Sequence, residues 1–216
     1  MTTPLAAEVA ERLAVLRERM GSAVDTIDLL AITKGHPVDA AAAALEIGLD
    51  QLGENYAQEL RAKAEHLGTG PAWHFVGQLQ SNKVRMIVDH VAVWQSVDRI
   101  KVGREIAKRS PGATVFAQAN LSADPNKAGC PLDGLDAHIE ALQELDLRVT
   151  GVMGVGTADD LEETRDGFRR LRATADRWTL ANCSMGMTAD LEIAIGEGST
   201  MIRVGTALFG PRPRPT

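Results

Sequence analysis

Asp28-Leu-Leu-Ala-Ile-Thr-Lys34-Gly-His-Pro37 decides how the rest of the chain is read. Leu29 to Ile32 form a short apolar run, and Gly35 and Pro37 close it. A run of this kind, bounded by turn residues, suits a strand covered on both faces, as in parallel α/β sheets. Strand side chains alternate, so Leu30, Ile32 and Lys34 point to one side. An ammonium group sharing the side of a buried apolar set is costly unless it is paired, deprotonated or used covalently. The carboxyl end of such a strand is also where α/β folds bind ligands. Two readings compete. Lys34 either snorkels from a strand end to the surface, or it is an amine that condenses with an aldehyde.

Outward from this strand, the chain alternates between two periodicities. Before it, Thr3-Pro4 opens a helix whose stripe is Leu5, Val9, Leu13, Leu16 and Met20, and Gly21 ends it. After it comes an alanine-rich helix from Val38 to Ile47. Strands follow at Leu49–Asn55, Ala72–Gly77, Val91–Val97, Thr114–Asn120, Leu147–Val155, Trp178–Met185 and Thr200–Thr206. Helical stripes separate them, at Tyr56–Leu67, through Ile87, at Ile100–Ile106, at Leu135–Leu142 and at Leu161–Leu171. Ser81 and Asp98 are placed to cap two of these helices, Thr157-Ala-Asp-Asp160 resembles a capping box, and Thr188 is read as the cap of a short helix with Leu191 and Ile195. Residues 122–131 read as an irregular loop carrying Lys127 and Cys130. Eight alternating units with no linker predict one α/β domain over residues 1–210, a single (β/α)8 TIM-type barrel with an extra N-terminal helix. Residues 211–216, Pro-Arg-Pro-Arg-Pro-Thr, are expected to form a loose tail. The absence of GxGxxG after the first strand weighs against an open dinucleotide-binding sheet.

The composition excludes several function classes. With 44% hydrophobic and 24% charged residues, the chain has the balance of a soluble globular protein. A formal net charge of −6 argues against a general nucleic-acid or anionic-membrane binder. No apolar run reaches membrane-spanning length, and the N-terminus lacks a signal-peptide pattern, so a cytoplasmic protein is expected. Cys130 and Cys183 form no CxxC pair and share no zinc spacing with a histidine, so two free thiols and no metal site are expected.

A barrel also predicts which distant residues meet. The last strand must pair with the first. Met201, Arg203 and Gly205 share one parity, so if it faces inward, Arg203 and Lys34 line the same mouth. Phosphate in such barrels is commonly held by the loops after strands seven and eight. Here these are Ser184-Met-Gly-Met-Thr188 and Gly205-Thr-Ala-Leu-Phe-Gly210, rich in hydroxyls and small residues, with the Thr188 helix offering its positive end. Tight turns would need the same glycines. A phosphorylated aldehyde held as an imine would use all of these parts.

Leu30-Ala-Ile-Thr-Lys34, Gly53-Glu-Asn-Tyr56, Trp73–Lys83, Ser96-Val-Asp98, Asn126–Cys130, Cys183–Met187 and Gly198–Gly210 together resemble the pyridoxal 5′-phosphate homeostasis family, the YggS/PROSC type. The resemblance implies a fold-type III barrel like the N-terminal domain of alanine racemase, with pyridoxal 5′-phosphate (PLP) as a covalent aldimine at Lys34. It implies that Arg203 faces the pyridine nitrogen and that Ser184, Gly205 and Thr206 hold the phosphate. Asn55, His74 and Met187 match family positions near the cofactor. Met153-Gly-Val-Gly-Thr157 departs from the family's Ile-Pro-type stretch.

An arginine keeps the pyridine nitrogen unprotonated, which makes PLP a poorer electron sink. The single tyrosine, Tyr56, begins a helix and reads as a packing residue, so the second base of a racemase is missing. Glu54 alternates away from Asn55 and reads as half of a structural ion pair. The expectation is a carrier with no catalytic residues, a monomer that buffers PLP or passes it to PLP-dependent apo-enzymes. A weak racemase and a PLP-free aldolase-type barrel are the rivals.

Overall fold

The computed structural model describes residues 2–122, 124, 126–157 and 160–213. Helix α1 (Pro4–Met20) comes first. Strands β1 (Asp28–Ile32), β2 (Gln51–Glu54), β3 (Ala72–Phe75) and β4 (Val91–Val97) then alternate with helices α2 (Val38–Glu46), α3 (Ala57–Leu67), α4 (Val84–Ile87) and α5 (Ile100–Arg109). The second half runs β5 (Thr114–Asn120), β6 (Cys130–Pro131), α6 (Leu135–Gln143), β7 (Arg148–Val155), α7 (Leu161–Arg177), β8 (Asn182–Ser184), α8 (Leu191–Gly196), β9 (Met201–Val204) and α9 (Thr206–Phe209).

All the strand pairings are parallel, and they close a ring. At one seam β9 lies on β1, with Leu30 opposite Arg203 and Ala31 opposite Val204. On the far side β4 lies on β5, with Trp94 opposite Val115 and Val97 opposite Ala117. The fold is therefore the expected eight-stranded (β/α)8 barrel. The short β6, inside the loop expected to be irregular, continues along β5 beyond the end of β4, pairing with Ala119 and Asn120.

Alternation along the strands sorts the core into two layers. Leu30, Ile32, Phe116, Met153 and Met201 fill the barrel interior, with Val76 and Val93 against them. Their neighbours Ala31, Leu52, Val115, Ala117, Val152, Ile202 and Val204 face outward beneath the helices. The interior is thus packed, not a pore.

Helix α1 begins as its sequence requires. The Thr3 hydroxyl accepts the Ala6 N–H at 3.2 Å, Pro4 occupies the first turn, and Gly21 ends the helix at φ +57°. Its buried stripe of Ala6, Val9, Leu13, Leu16 and Met20 packs on α2, α8 and α9. Polar ties lace the same elements. Thr3 binds Glu46, Arg12 donates to the Leu208 carbonyl, and Arg19 donates to Glu192. The extra helix therefore clasps the outside of the β9–β1 seam.

Three local expectations need correction, and a fourth falls partly outside the described residues. The strand expected from Trp178 is only Asn182–Ser184, because α7 runs on to Arg177 and the Trp178 indole N–H donates to Asp136 on α6 at 2.6 Å. The helix assigned a Thr188 cap starts at Leu191, and the Asp190 carboxylate instead accepts the Met187 N–H at 2.6 Å. Asp98 accepts from Arg99 Nε and does not cap α5. The capping-box reading spans residues 158 and 159, which lie outside the described set. The cap of α7 is Asp160, whose side chain accepts the N–H groups of Glu162 and Glu163.

Candidate functional site

The carboxyl ends of the strands surround a cavity of about 490 Å³, within the size range of small-ligand sites. Lys34, Asn55, Met187, Arg203, Gly205 and Thr206 line it, with Ile32 and Met153 below them. Six of the eight expected residues are thus brought together. His74 and Ser184 are not. Both are buried in the barrel interior and lie outside the lining.

These two form a polar strut across the interior. Arg203 Nη1 donates to the Ser184 carbonyl at 2.7 Å and to its hydroxyl at 2.8 Å, and Nη2 donates to the Gly154 carbonyl at 2.7 Å. The Ser184 hydroxyl donates to Gln95 Oε1 at 2.7 Å. The Gln95 amide then donates to His74 Nδ1 at 2.6 Å and to the Met201 sulfur. Each group donates to the next, so His74 is an acceptor at Nδ1 and its ring is neutral. The strut fixes the guanidinium of Arg203, which is only 5% exposed. Burial lowers Arg203 from its usual basicity to about 10, which leaves it cationic at neutral pH. Of its five N–H donors, Nε–H and one on Nη2 are not committed to a described residue.

Burial alone depresses His74 from 6.5 to about 4. Between those values the unfolded chain binds a proton that the folded chain refuses. Stability from this group is therefore fully present above pH 6.5 and is lost as pH falls towards 4, by about 3 kcal/mol. Chemical denaturation of His74→Gln at pH 7 and pH 4.5 should show a flatter acid limb than the wild type. An unchanged limb would show that the ring is protonated in the folded protein.

Lys34 lies in the turn just beyond β1, two residues after the last ladder position, so it stands at the mouth and not on the strand itself. It is half-buried, and its Nζ makes no hydrogen bond or ion pair with a described residue. Burial lowers its basicity, Arg212 and Arg203 lower it further, and Glu54 opposes them. The turn is held from beneath. Lys63 on α3 donates to the Thr33 carbonyl at 2.7 Å and pairs with fully buried Glu54. Glu54 also accepts from the Thr33 hydroxyl at 2.7 Å and from the Asn55 N–H at 3.2 Å. Glu59 accepts the Gly35 N–H at 2.7 Å. The expected structural ion pair of Glu54 is thus present, and it braces the lysine turn.

The electrostatics of the lining oppose those of the whole chain. Lys34, Arg203, Arg212 and His36 all line the cavity, and among the described residues no aspartate or glutamate does. The Asn55 side-chain oxygen is buried without a hydrogen-bond partner. Gly205 lies so close to β1 that a Cβ there would sit 3.0 Å from the Ile32 carbonyl oxygen. The cavity thus offers a free amine, cationic donors, an orphaned acceptor and a backbone cradle.

Sequence reading missed three contributors. Arg212 belongs to the segment expected to be a loose tail, yet it lines the cavity. His36, which shows no ligand spacing, also lines it and leans on Phe209 with ring centres 5.5 Å apart. Gln95 is a buried amide in a mostly apolar strand, and that mismatch was its signal. Tyr56, read as a packing residue, is 53% exposed outside this lining. Both cysteines are buried and unpaired, and burial pushes their thiols up to about 12, so they stay protonated. Among the described residues no group of His, Cys, Asp and Glu is arranged to hold a metal, and no helix is long and apolar enough to cross a membrane.

A parallel barrel with a lysine after its first strand and an arginine on its last defines a class. The family model described as "Alanine racemase, N-terminal domain" matches residues 6–213. The alanine racemase of Bacillus anthracis superposes with a TM-score of 0.76 over 96% of this chain and 57% of that one, at 15% identity, which speaks for the fold alone. The chain belongs to the pyridoxal phosphate homeostasis protein family. The protein of that name from Pseudomonas aeruginosa is 39% identical over 95% of this chain and 94% of its own. PipY of Synechococcus elongatus, solved with PLP bound, is 33% identical with a TM-score of 0.80, covering 94% of this chain and all of that one (100%).

Proposed function

We propose that this protein binds PLP in the cavity and acts in PLP homeostasis, holding the cofactor as a Schiff base on Lys34 and buffering or delivering it without substantial turnover. The observation that carries the reading is the unpaired, half-buried Lys34 in a cationic cavity lined by no described carboxylate. PLP supplies a reactive aldehyde and a phosphate. The lowered basicity of Lys34 raises the fraction of free amine able to condense with the aldehyde, with loss of water. Gly205 and Thr206 suit the phosphate, with Met187 and Thr188 bordering the same space. Ser184 acts indirectly in this reading, by fixing Arg203 for the pyridine nitrogen. Asn55 supplies an acceptor at the cavity wall.

The lack of turnover is supported by where the titratable groups sit. Lys34 and His36 come from one turn, so among the described residues no pair of acid–base groups straddles the cavity, and Tyr56 is outside it. Arg203 cannot give up its charge at neutral pH, so it serves poorly as a proton donor to the ring. The protein acts as a monomer in this reading, with PLP-dependent apo-enzymes as recipients.

The test is a PLP titration of the purified protein followed by visible absorbance, borohydride reduction and peptide mass mapping. A band that reduction abolishes, with the added mass on the Lys34 peptide, is the expected result. No band at saturating PLP would overturn the reading. In deuterium oxide, amino acids added to the loaded protein should keep their α-hydrogen over many hours, and exchange within seconds would replace the carrier with an enzyme.

A further inference from the structure

Arg212 is the cation in the cavity that nothing so far uses. Its chain segment follows α9, six residues after Thr206, and bends back across the mouth. The methylene stem lies directly on Gly35, where a Cβ would come within 2.8 Å of Arg212 Cδ. Gly35 has φ +70°, so it turns the chain after Lys34 and at the same time leaves the groove that the stem fills. The guanidinium forms no hydrogen bond or ion pair with a described residue, unlike Arg19, Arg99 and Arg177, which are each ion-paired. It shares the cavity lining with two other cations, Lys34 and Arg203, and its charge disfavours the charged form of Lys34. A guanidinium held in such a place by its stem is a site for an anion.

The chemistry of the ligand says which anion. In PLP the phosphate ester hangs from the ring carbon next to the one bearing the aldehyde. A ligand attached through Lys34 therefore brings its phosphate close to the lysine turn, where Arg212 lies, and towards Gly205 and Thr206 on the same chain segment. We propose that Arg212 is a ligand-binding residue that pairs with the phosphate of PLP and closes the mouth over it, slowing its departure. This rests on the proposed PLP reading. It adds that retention is governed from the segment after α9 as well as from Lys34.

The test uses the full chain as wild type, Arg212→Gln and Arg212→Lys, with three probes: PLP, pyridoxal and inorganic phosphate. Arg212→Gln should weaken PLP binding roughly 10- to 30-fold, mostly through faster dissociation, and leave pyridoxal affinity unchanged. Arg212→Lys should recover most of the loss, since it keeps the charge but not the planar fork. Inorganic phosphate binding to the ligand-free protein, read by calorimetry, should weaken in parallel in Arg212→Gln. Equal losses for PLP and pyridoxal would place the effect on Lys34 and overturn the proposal, as would an unchanged PLP dissociation rate. Wild-type protein that binds no PLP would instead sink the cofactor reading itself, so the two failures are distinct.

Discussion

Lys34→Ala protein mixed with PLP shows no visible band and gains no mass after borohydride, and its affinity for PLP falls on the order of 100-fold, about 2.7 kcal/mol. The expectation follows from the lining. Among the described residues Lys34 is the one lysine there, so no second lysine amine replaces it within the cavity. What remains in the variant is the non-covalent set of Arg203, Arg212, Gly205, Thr206 and Asn55. That set should still discriminate PLP from pyridoxal, because it addresses the phosphate and ring rather than the aldehyde. Lys34→Arg is the control for charge. It preserves a cation in the turn but cannot condense with an aldehyde, so it should behave like Lys34→Ala in the borohydride assay. Reducible PLP persisting in both variants would move the attachment to another lysine and remove the basis for the proposed function. Lys127, exposed on the loop before β6, would then be the first to examine.

Lys63→Ala should be the most damaging substitution outside the cavity. Its ammonium is the cation facing Glu54, whose carboxylate is completely buried. Burial already raises Glu54 above the ordinary carboxylate range, and Lys63 is the main influence opposing that. Breaking a buried pair by removing one partner costs about 3–5 kcal/mol. For a chain of this size that is a fall in Tm of roughly 6–20 °C. The same change deprives the Thr33 carbonyl of its donor, so the Lys34 turn should loosen and PLP uptake should slow. The double variant Glu54→Gln, Lys63→Met removes both charges and should recover much of the lost Tm. Thermal unfolding of the three proteins decides the matter. A change under about 2 °C in the single variant would mean that water reaches Glu54.

Much of this arrangement was legible in the residues, for identifiable reasons. The barrel was readable because glycine and proline punctuate each unit and because the runs between them keep a clean period. The meeting of Lys34 with Arg203 followed from parity on two strands and from closure of the ring, and the registers of β1 and β9 place them on one cavity. Parity gives a side chain's face, but not its height above the barrel floor. Ser184 and His74, which the family resemblance implied near the cofactor, accordingly lie in the barrel interior outside the cavity lining, in the network that holds Arg203. The run from Trp178 looked like a strand because it is apolar, but its indole is spent on Asp136 of a neighbouring helix, a tertiary contact with no local signature. Lys63 carried a signal that is clear in retrospect. It falls within the stripe of Leu60, Ala64 and Leu67, where a cation needs a buried partner. Arg212 carried none, because its place depends on the empty side of Gly35, far away in sequence.

The β9–β1 seam has a consequence for how the protein comes into being. The two ends of the site, Lys34 and Arg203, are separated by most of the chain, and neither is near the other until the ring closes. At synthesis rates of about 5–20 residues per second, the lysine turn waits on the order of ten seconds or more for its counterpart. Throughout that interval a partial chain presents an amine but no cage. A ligand that needs both ends therefore stabilises finished barrels and not unfinished ones, by mass action. Occupancy of the cavity would thus report that the ring from β1 to β9 has closed upon itself.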